Sequence, residues 1–208
     1  LNRHQQLGLK YFDDFEKRVP RDEITMIEEV VKREAAALDP LIKVEAVGSY
    51  RRGVPDSGDI DILMTHPNFT SSTSDKKSKV GHLLEALLQR LFKTGLIIEK
   101  ISSGTTLFMG VCRLPSGGDS SSSSSSTPQA AAAASSTTPV RRLDIKYFPH
   151  ESYYCALLHF TGSAEHNIML RNAAIERKFQ LSEYSLTPIG SSGEKGVPFP
   201  ITSEEDVF

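Results

Sequence analysis

The spacing of apolar residues changes several times along the chain, and each change marks an element. Residues 4–18 and 22–38 carry apolar positions at helical spacing on either side of Pro20, which predicts two helices. In "RDEITMIEEVVKREAAAL", Ile24, Ile27, Val30, Val31 and Leu38 share one helical face, with Asp22 and Glu23 suited to the N-terminal end. "IKVEAV" (42–47) alternates as a strand and runs into Gly48-Ser49, where a tight turn is expected. "GDIDILMTH" is the next strand, ended by Pro67. A polar loop covers 68–78, and "VGHLLEALLQRLF" (80–92) reads as an amphipathic helix. "LIIEKISSGTTLFMGVCRL" predicts two strands around Ser103-Gly104, and "VRRLDIKYF" (140–148) alternates again.

Between those last strands, residues 116–139 are low in complexity, with almost nothing to bury, so disorder is expected there. Strand patterns on both sides make this stretch an inserted loop of one sheet. After Pro149 the period becomes helical: "ESYYCALLHF", a break and cap at Thr161-Gly162-Ser163, then "AEHNIMLRNAAIERK". Strand-like pieces follow at 179–189, then a Gly/Pro-rich loop. "TSEEDVF" reads as a helix start that is cut off, with Thr202 or Ser203 as N-cap. A beginning at Leu1 points the same way, to a fragment.

Composition adds little. The chain has 208 residues and a formal net charge of -2, which argues against a general nucleic-acid coat protein but leaves room for a local basic site. Basic residues cluster at 51–52, 76–79, 141–146 and 171–178, and acids at 22–34 and 204–206. No stretch approaches the roughly 18 apolar residues of a membrane span. Cys112 and Cys155 both sit in apolar runs, which predicts buried free thiols rather than a disulfide or zinc site.

The chemistry gathers in "GSYRRGVPDSGDIDILMTH" (48–66). Burying an unpaired carboxylate costs several kcal/mol, so Asp59 and Asp61 must be solvated, paired or holding a cation. Residues two apart on a strand share a face, so the aspartates project together while Ile60 and Ile62 point into the core. In "RRLDIKY", Arg142, Asp144 and Lys146 share a face opposite Leu143, Ile145 and Tyr147. If the two strands pair, three hard oxygen donors converge, which suits Mg²⁺; two such ions would clamp a phosphoryl-type displacement. Taken alone, the D-x-D pair is better explained as the polar face of a half-exposed strand. The flank changes this: exposed N–H groups at Gly48-Ser49 can cradle a phosphate, and Arg51, Arg52 and Gly58 lie within ten residues of it.

"GSYRRG…SGDIDILMTH" resembles the nucleotidyltransferase signature. "HQQLGLKYFDDFEKRVPR", "FMGVCRLP", "RRLDIKYFP", "YYCALLHFTGS" and "SEYSLTPIG" resemble segments of the family X DNA polymerases, the polymerase beta group most closely, in the family's order. The likeness covers the chain except the 116–139 insert. It implies an α+β nucleotidyltransferase palm, a mainly antiparallel or mixed sheet flanked by helices, over 1–150. A small, C-terminally truncated nascent-base-pair subdomain would occupy 151–208. It also implies roles by position. Asp59 and Asp61 would bind both metals; Asp144 would bind the catalytic metal beside the primer 3′-hydroxyl. Gly48, Ser49, Arg52, Gly58 and Arg18 would hold the triphosphate, with Arg142 neighbouring Asp144 and holding it between inactive and active arrangements. His159, Phe160, Thr161 and Gly162 match the sugar-facing turn, Asn167 a base contact and Arg171 a template contact. Taken singly, Arg18, Phe160 and Asn167 read better as a solvated charge, a core residue and a helix cap; only the shared order of motifs moves them towards function.

The sequence departs from the family's pattern in four places. His159 stands where an aromatic Tyr or Trp is usual, Ile168 replaces a Lys set against the templating base, and Ala164 replaces an Asp. Lys146 replaces an Arg, keeping charge but losing the planar fork. None is a metal ligand, so catalysis is expected to survive while fidelity and sugar selectivity differ. The N-terminal lyase domain and helix-hairpin-helix module of such polymerases have no counterpart in the chain. The resemblance implies a monomeric, template-directed enzyme using dNTP and gapped or primed DNA, with two Mg²⁺ or substituting Mn²⁺. It further implies no membrane contact, gap filling in base excision repair beside repair-protein partners, and the nucleus, with the mitochondrion as alternative. Two rival readings stand: an untemplated or small-molecule nucleotidyltransferase, and a non-catalytic nucleotide-binding fragment.

Overall fold

The computed structural model describes residues 1–72, 79–115 and 138–208. The Ser/Ala-rich stretch expected to be disordered falls almost wholly outside these, as does part of the 68–78 loop.

The first expected helix divides. Asn2 and Gln5 close a reciprocal cap on α1 (Arg3–Lys10), and the backbone leaves helical geometry at Tyr11 before a single turn, α2 (Phe12–Phe15). Tyr11 is held elsewhere, its hydroxyl donating to Glu99 Oε1 at 2.7 Å. After β1 (Val19–Pro20), α3 (Arg21–Ala36) starts directly behind the proline and buries Ile24, Ile27, Val31 and Ala35. Strand β2 (Lys43–Ala46) follows as expected. Gly48-Ser49 opens a four-residue helix, α4 (Gly48–Arg51), instead of a tight turn. Then come β3 (Asp56–Ser57), which pairs with β1, and β4 (Ile60–Thr65). Helix α5 (Leu83–Lys93) buries Leu84, Leu87, Leu88 and Leu91.

Strands β5 (Ile97–Ser103), β6 (Leu107–Cys112) and β7 (Arg141–Tyr147) complete a five-stranded sheet of order β2-β4-β7-β6-β5. All its pairs are antiparallel except β4 with β7. Strands β6 and β7 are direct neighbours, so the insert joins two strands of one sheet, as its flanks predicted. One core lies between this sheet and helices α3 and α5, with Ile60, Ile62, Leu143 and Ile145 fully buried in it. A second, smaller core lies on the opposite face. There Leu63 and Val47 meet Phe148 and α6 (Tyr153–Thr161).

Beyond α6 lie α7 (Ala164–Glu176), started by the Ser163 hydroxyl accepting from the His166 amide, and the hairpin β8 (Phe179–Leu181) with β9 (Leu186–Pro188). At the C-terminal turn the expected cap is reversed: Asp206 accepts from the Thr202 and Ser203 amides at 2.7 and 2.9 Å. Cys112 and Cys155 are buried and free; burial drives the Cys112 thiol pKa far up and that of Cys155 to about 11. Among the described residues no helix is long and apolar enough to cross a membrane.

Lys178, just past the end of α7, adopts φ +63°, a left-handed conformation that glycine tolerates best. Lys178→Gly is expected to stabilise the chain by about 1 kcal/mol, read as a higher urea midpoint.

Candidate active site

The parallel pairing of β4 with β7 places Asp61 directly opposite Asp144 on one sheet face. Along that face the strand turns apolar at Leu63, where α6 covers it, so the carboxylates stand at the uncovered end. Asp59 lies just before β4. Both charges of the D-x-D pair are partnered: Asp59 by Arg142, and Asp61 by Lys146, whose Nζ stands 2.5 Å from Oδ1. Arg142 Nε is 4.0 Å from Asp144 Oδ1, so its first partner is Asp59 and not, as expected, Asp144. Asp144 is 8% exposed, and its Oδ1 accepts no hydrogen bond among the described residues. Burial raises its pKa above the ordinary carboxylate value; Lys146 and Arg142 pull it down and Asp61 pushes it up.

The donor set, three carboxylates with one buried oxygen left without a donor, fits a hard divalent cation. Among the described residues, however, no three His, Cys, Asp or Glu side chains are gathered closely enough to hold a metal. The expected convergence is therefore incomplete, because Arg142 and Lys146 each draw one aspartate to themselves. A cation at Asp61 must compete with the Lys146 ammonium. Lys146 also lies 4.8 Å from the centre of the Phe160 ring, a cation–π contact across the site.

Gly48 is fixed by two constraints. Its φ is +65°, and a Cβ there would stand 2.8 Å from Asp61 Oδ2. Gly48→Ala would push the carboxylate out of place, and Mg²⁺ affinity at this sheet face is expected to fall about tenfold, read by calorimetric titration. Ser49 is half-buried beside it, and Arg52 is exposed, its Nη1 donating to the Thr161 carbonyl at 2.6 Å. Gly58 is exposed, and a Cβ on it would lie 3.4 Å from Arg18 Nη1. Arg18 itself is held by Asp56, through Nε to Oδ1 at 2.7 Å and Nη2 to the carbonyl at 2.8 Å. The strand pair β1–β3 thus brings Arg18 to the glycine 40 positions on. Ser57 was not anticipated. Its hydroxyl is buried and makes no hydrogen bond among the described residues, and its place between Asp56 and Gly58 in "DSGDID" was the available signal.

The remaining predicted residues form a second group around the α6–α7 corner. Phe160 packs against Phe148 and His159, and Gly162 (φ +66°) ends α6, where an added Cβ would lie 3.4 Å from Arg52 Nη1. Asn167 Nδ2 donates to the His159 carbonyl at 2.7 Å, the helix-capping use that competed with a base contact. Burial, opposed by Glu183, holds the His159 imidazole below its ordinary pKa. Its Nδ1 is then free to accept from Arg171 Nη2 at 3.2 Å. Arg171 also lies 3.6 Å from Glu183, so its guanidinium is tied within this half of the chain.

Comparison with known proteins gives two family matches. The DNA polymerase beta palm family matches residues 18–150, and the DNA polymerase beta thumb family matches 156–208. DNA polymerase lambda from Rattus norvegicus is 35% identical over the whole chain, and DNA polymerase lambda from Arabidopsis thaliana 31%. DNA polymerase IV from Saccharomyces cerevisiae is 33% identical over 43% of the chain. The chain spans 34% and 37% of the length of the two lambda relatives, about a third of each.

Proposed function

The chain belongs to the family X DNA polymerases, and from that premise we propose that it carries the nucleotidyl-transfer centre of a template-directed DNA polymerase. The observation that carries this reading is the register pair Asp61–Asp144 beside Gly48, with one Asp144 oxygen buried and without a hydrogen bond among the described residues. In the proposed reaction the primer 3′-oxygen attacks the α-phosphate of a dNTP and pyrophosphate leaves.

Asp59, Asp61 and Asp144 would hold two Mg²⁺ ions, or Mn²⁺ in their place. Bound there, the cations would neutralise charge on the phosphates and acidify the 3′-hydroxyl. The protein's own part is positioning and proton handling. Asp144, raised in pKa by burial, is the candidate proton acceptor. Gly48, Ser49, Ser57 and Gly58 offer backbone and hydroxyl donors to the triphosphate, with Arg52 and Arg18 as cations. His159, Phe160 and Gly162 would meet the sugar, Asn167 the incoming base, and Arg171 the template. Residues 1–150 act as the palm and 151–208 as the subdomain closing on the nascent pair.

A templated substrate is favoured by the match of residues 156–208, α7 among them, to the DNA polymerase beta thumb family. Gap filling in base excision repair in the nucleus, by a monomer working beside repair proteins, is the corresponding cellular role.

The test is Mg²⁺-dependent extension of a gapped primer, comparing dNTPs with rNTPs and templated with untemplated ends. Equal incorporation with and without template would favour the untemplated reading. Nucleotide binding with no incorporation by the intact protein would leave a binding fragment. DNA titrated at rising salt gives a second measure, since few phosphate contacts leave only a shallow dependence.

A further inference from the structure

Arg51 and Arg52 are adjacent at the end of α4, yet their surroundings differ. Arg52 is exposed. The Arg51 side chain is 28% exposed, and its donors reach three elements. Nε donates to Glu45 Oε1 at 3.0 Å; Nη1 donates to Thr161 Oγ1 at 2.9 Å and to Glu204 Oε1 at 3.0 Å; Nη2 donates to Glu204 Oε2 at 2.7 Å. The other Glu45 oxygen accepts from the Tyr153 hydroxyl at 2.8 Å. One guanidinium therefore joins the edge strand β2, the end of α6 and the C-terminal segment. Two carboxylates face this single cation, so neither is fully neutralised by it.

Thr161 is the shared target. Arg51 bonds its hydroxyl while Arg52 bonds its carbonyl, and Gly162 follows at once. Whatever fixes Arg51 thus fixes the turn that holds Arg52, the exposed cation of the proposed phosphate cradle. Glu204 belongs to the C-terminal segment, whereas Glu45 sits in the main sheet, paired with Leu63 of β4. Glu45 is the anchor that shares a rigid frame with Asp61.

We propose that Glu45 is a positioning residue for the incoming nucleotide, acting through Arg51 to set Arg52 and the Thr161–Gly162 turn against the triphosphate. This rests on the polymerase reading above. Glu45 touches no reacting atom. Its effect falls on how well the cradle is preformed, hence on nucleotide affinity and not on the chemical step.

The experiment compares wild type, Glu45→Val and Glu45→Gln by steady-state dNTP incorporation, equilibrium dATP binding and thermal melting. Glu45→Val suits an edge strand but accepts from neither Arg51 nor Tyr153; Glu45→Gln keeps an oxygen to accept from Arg51 and turns its amide NH2 to the Tyr153 hydroxyl, which can accept. Expected is a KM for dNTP raised roughly tenfold in Glu45→Val, with kcat within about twofold and a matching loss of dATP affinity. Glu45→Gln should recover most of that affinity. A folded Glu45→Val with wild-type KM and dATP affinity would overturn the inference. So would a fall in kcat that simply tracks lost folded protein, or a Glu45→Gln no better than valine. If the wild type fails to incorporate dNTP but Glu45→Val still weakens dATP binding, the polymerase reading falls and the positioning role stands.

Discussion

Asp144→Asn is expected to reduce primer extension by about a thousandfold or more and, in metal-free buffer, to make the chain more stable at neutral pH. The two effects share one cause. Asp144 is buried, and Oδ1 accepts no hydrogen bond among the described residues, so its charge is poorly solvated by the protein. Burial is the main reason its pKa lies above the ordinary value. The native state therefore keeps this proton to higher pH than the unfolded chain, where an aspartate titrates near about 3.9. Stability contributed through this group falls as pH rises across that interval, and the whole cost is present above the folded pKa. The asparagine has no charge to desolvate, so at pH 7 the variant should gain about 1 kcal/mol. The gap should close as pH falls toward 4. Urea unfolding in chelator at pH 7 and pH 4 reads both points. A wild type as stable as the variant at pH 7 would mean that Lys146 and Arg142 already offset the burial. A site that folds more readily without its charge is what a preformed cation site should look like.

Arg141→Met is expected to cost roughly 3 kcal/mol or more while leaving turnover per folded molecule nearly unchanged. Arg141 opens β7, and its guanidinium meets Glu23 of α3 in a two-pronged pair, Nε to Oε1 at 2.9 Å and Nη2 to Oε2 at 2.8 Å. A third bond runs to the Lys17 carbonyl at 3.3 Å. The two side chains are only 6% and 11% exposed, so removing the arginine leaves a buried, uncompensated glutamate. Replacing both partners, Glu23→Leu with Arg141→Met, should restore most of the loss, because the pair itself gains little over apolar packing. Chemical denaturation of the two single variants and the double variant measures this directly. If the double variant is no better than the singles, the pair is not what docks β7 on α3. A kcat loss in Arg141→Met at a temperature well below its melting point would place Arg141 in the chemistry instead.

These two arginines mark the limit of what alternation can tell. The pattern "RRLDIKY" puts Arg142, Asp144 and Lys146 on one face, and so they lie. It also assigns Arg141 to the opposite, core-facing side, but nothing local reveals that its partner is Glu23, 118 positions earlier. Likewise Lys146 was legible as a cation on the right face, but not as the group holding Asp61. Arg51 read as one more charge near a glycine loop. Only folding brings Glu45, Thr161 and Glu204 to it. The first helix was read as continuous because its period is, while Tyr11 leaves the helical line and is held by Glu99.

Most of the element order, the two faces of the main strands, the mixed α+β class and the residue types of the site are legible along the chain. Those follow from period and local chemistry, which act over a few neighbouring positions. Tertiary structure alone decided that β4 and β7 run parallel with Asp61 beside Asp144. It also decided that Asp59 and Asp61 are paired with Arg142 and Lys146, while a buried oxygen of Asp144 accepts no hydrogen bond among the described residues. Partner choice among charges depends on burial and on distances across the sheet, and neither is written in the spacing of residues along one strand.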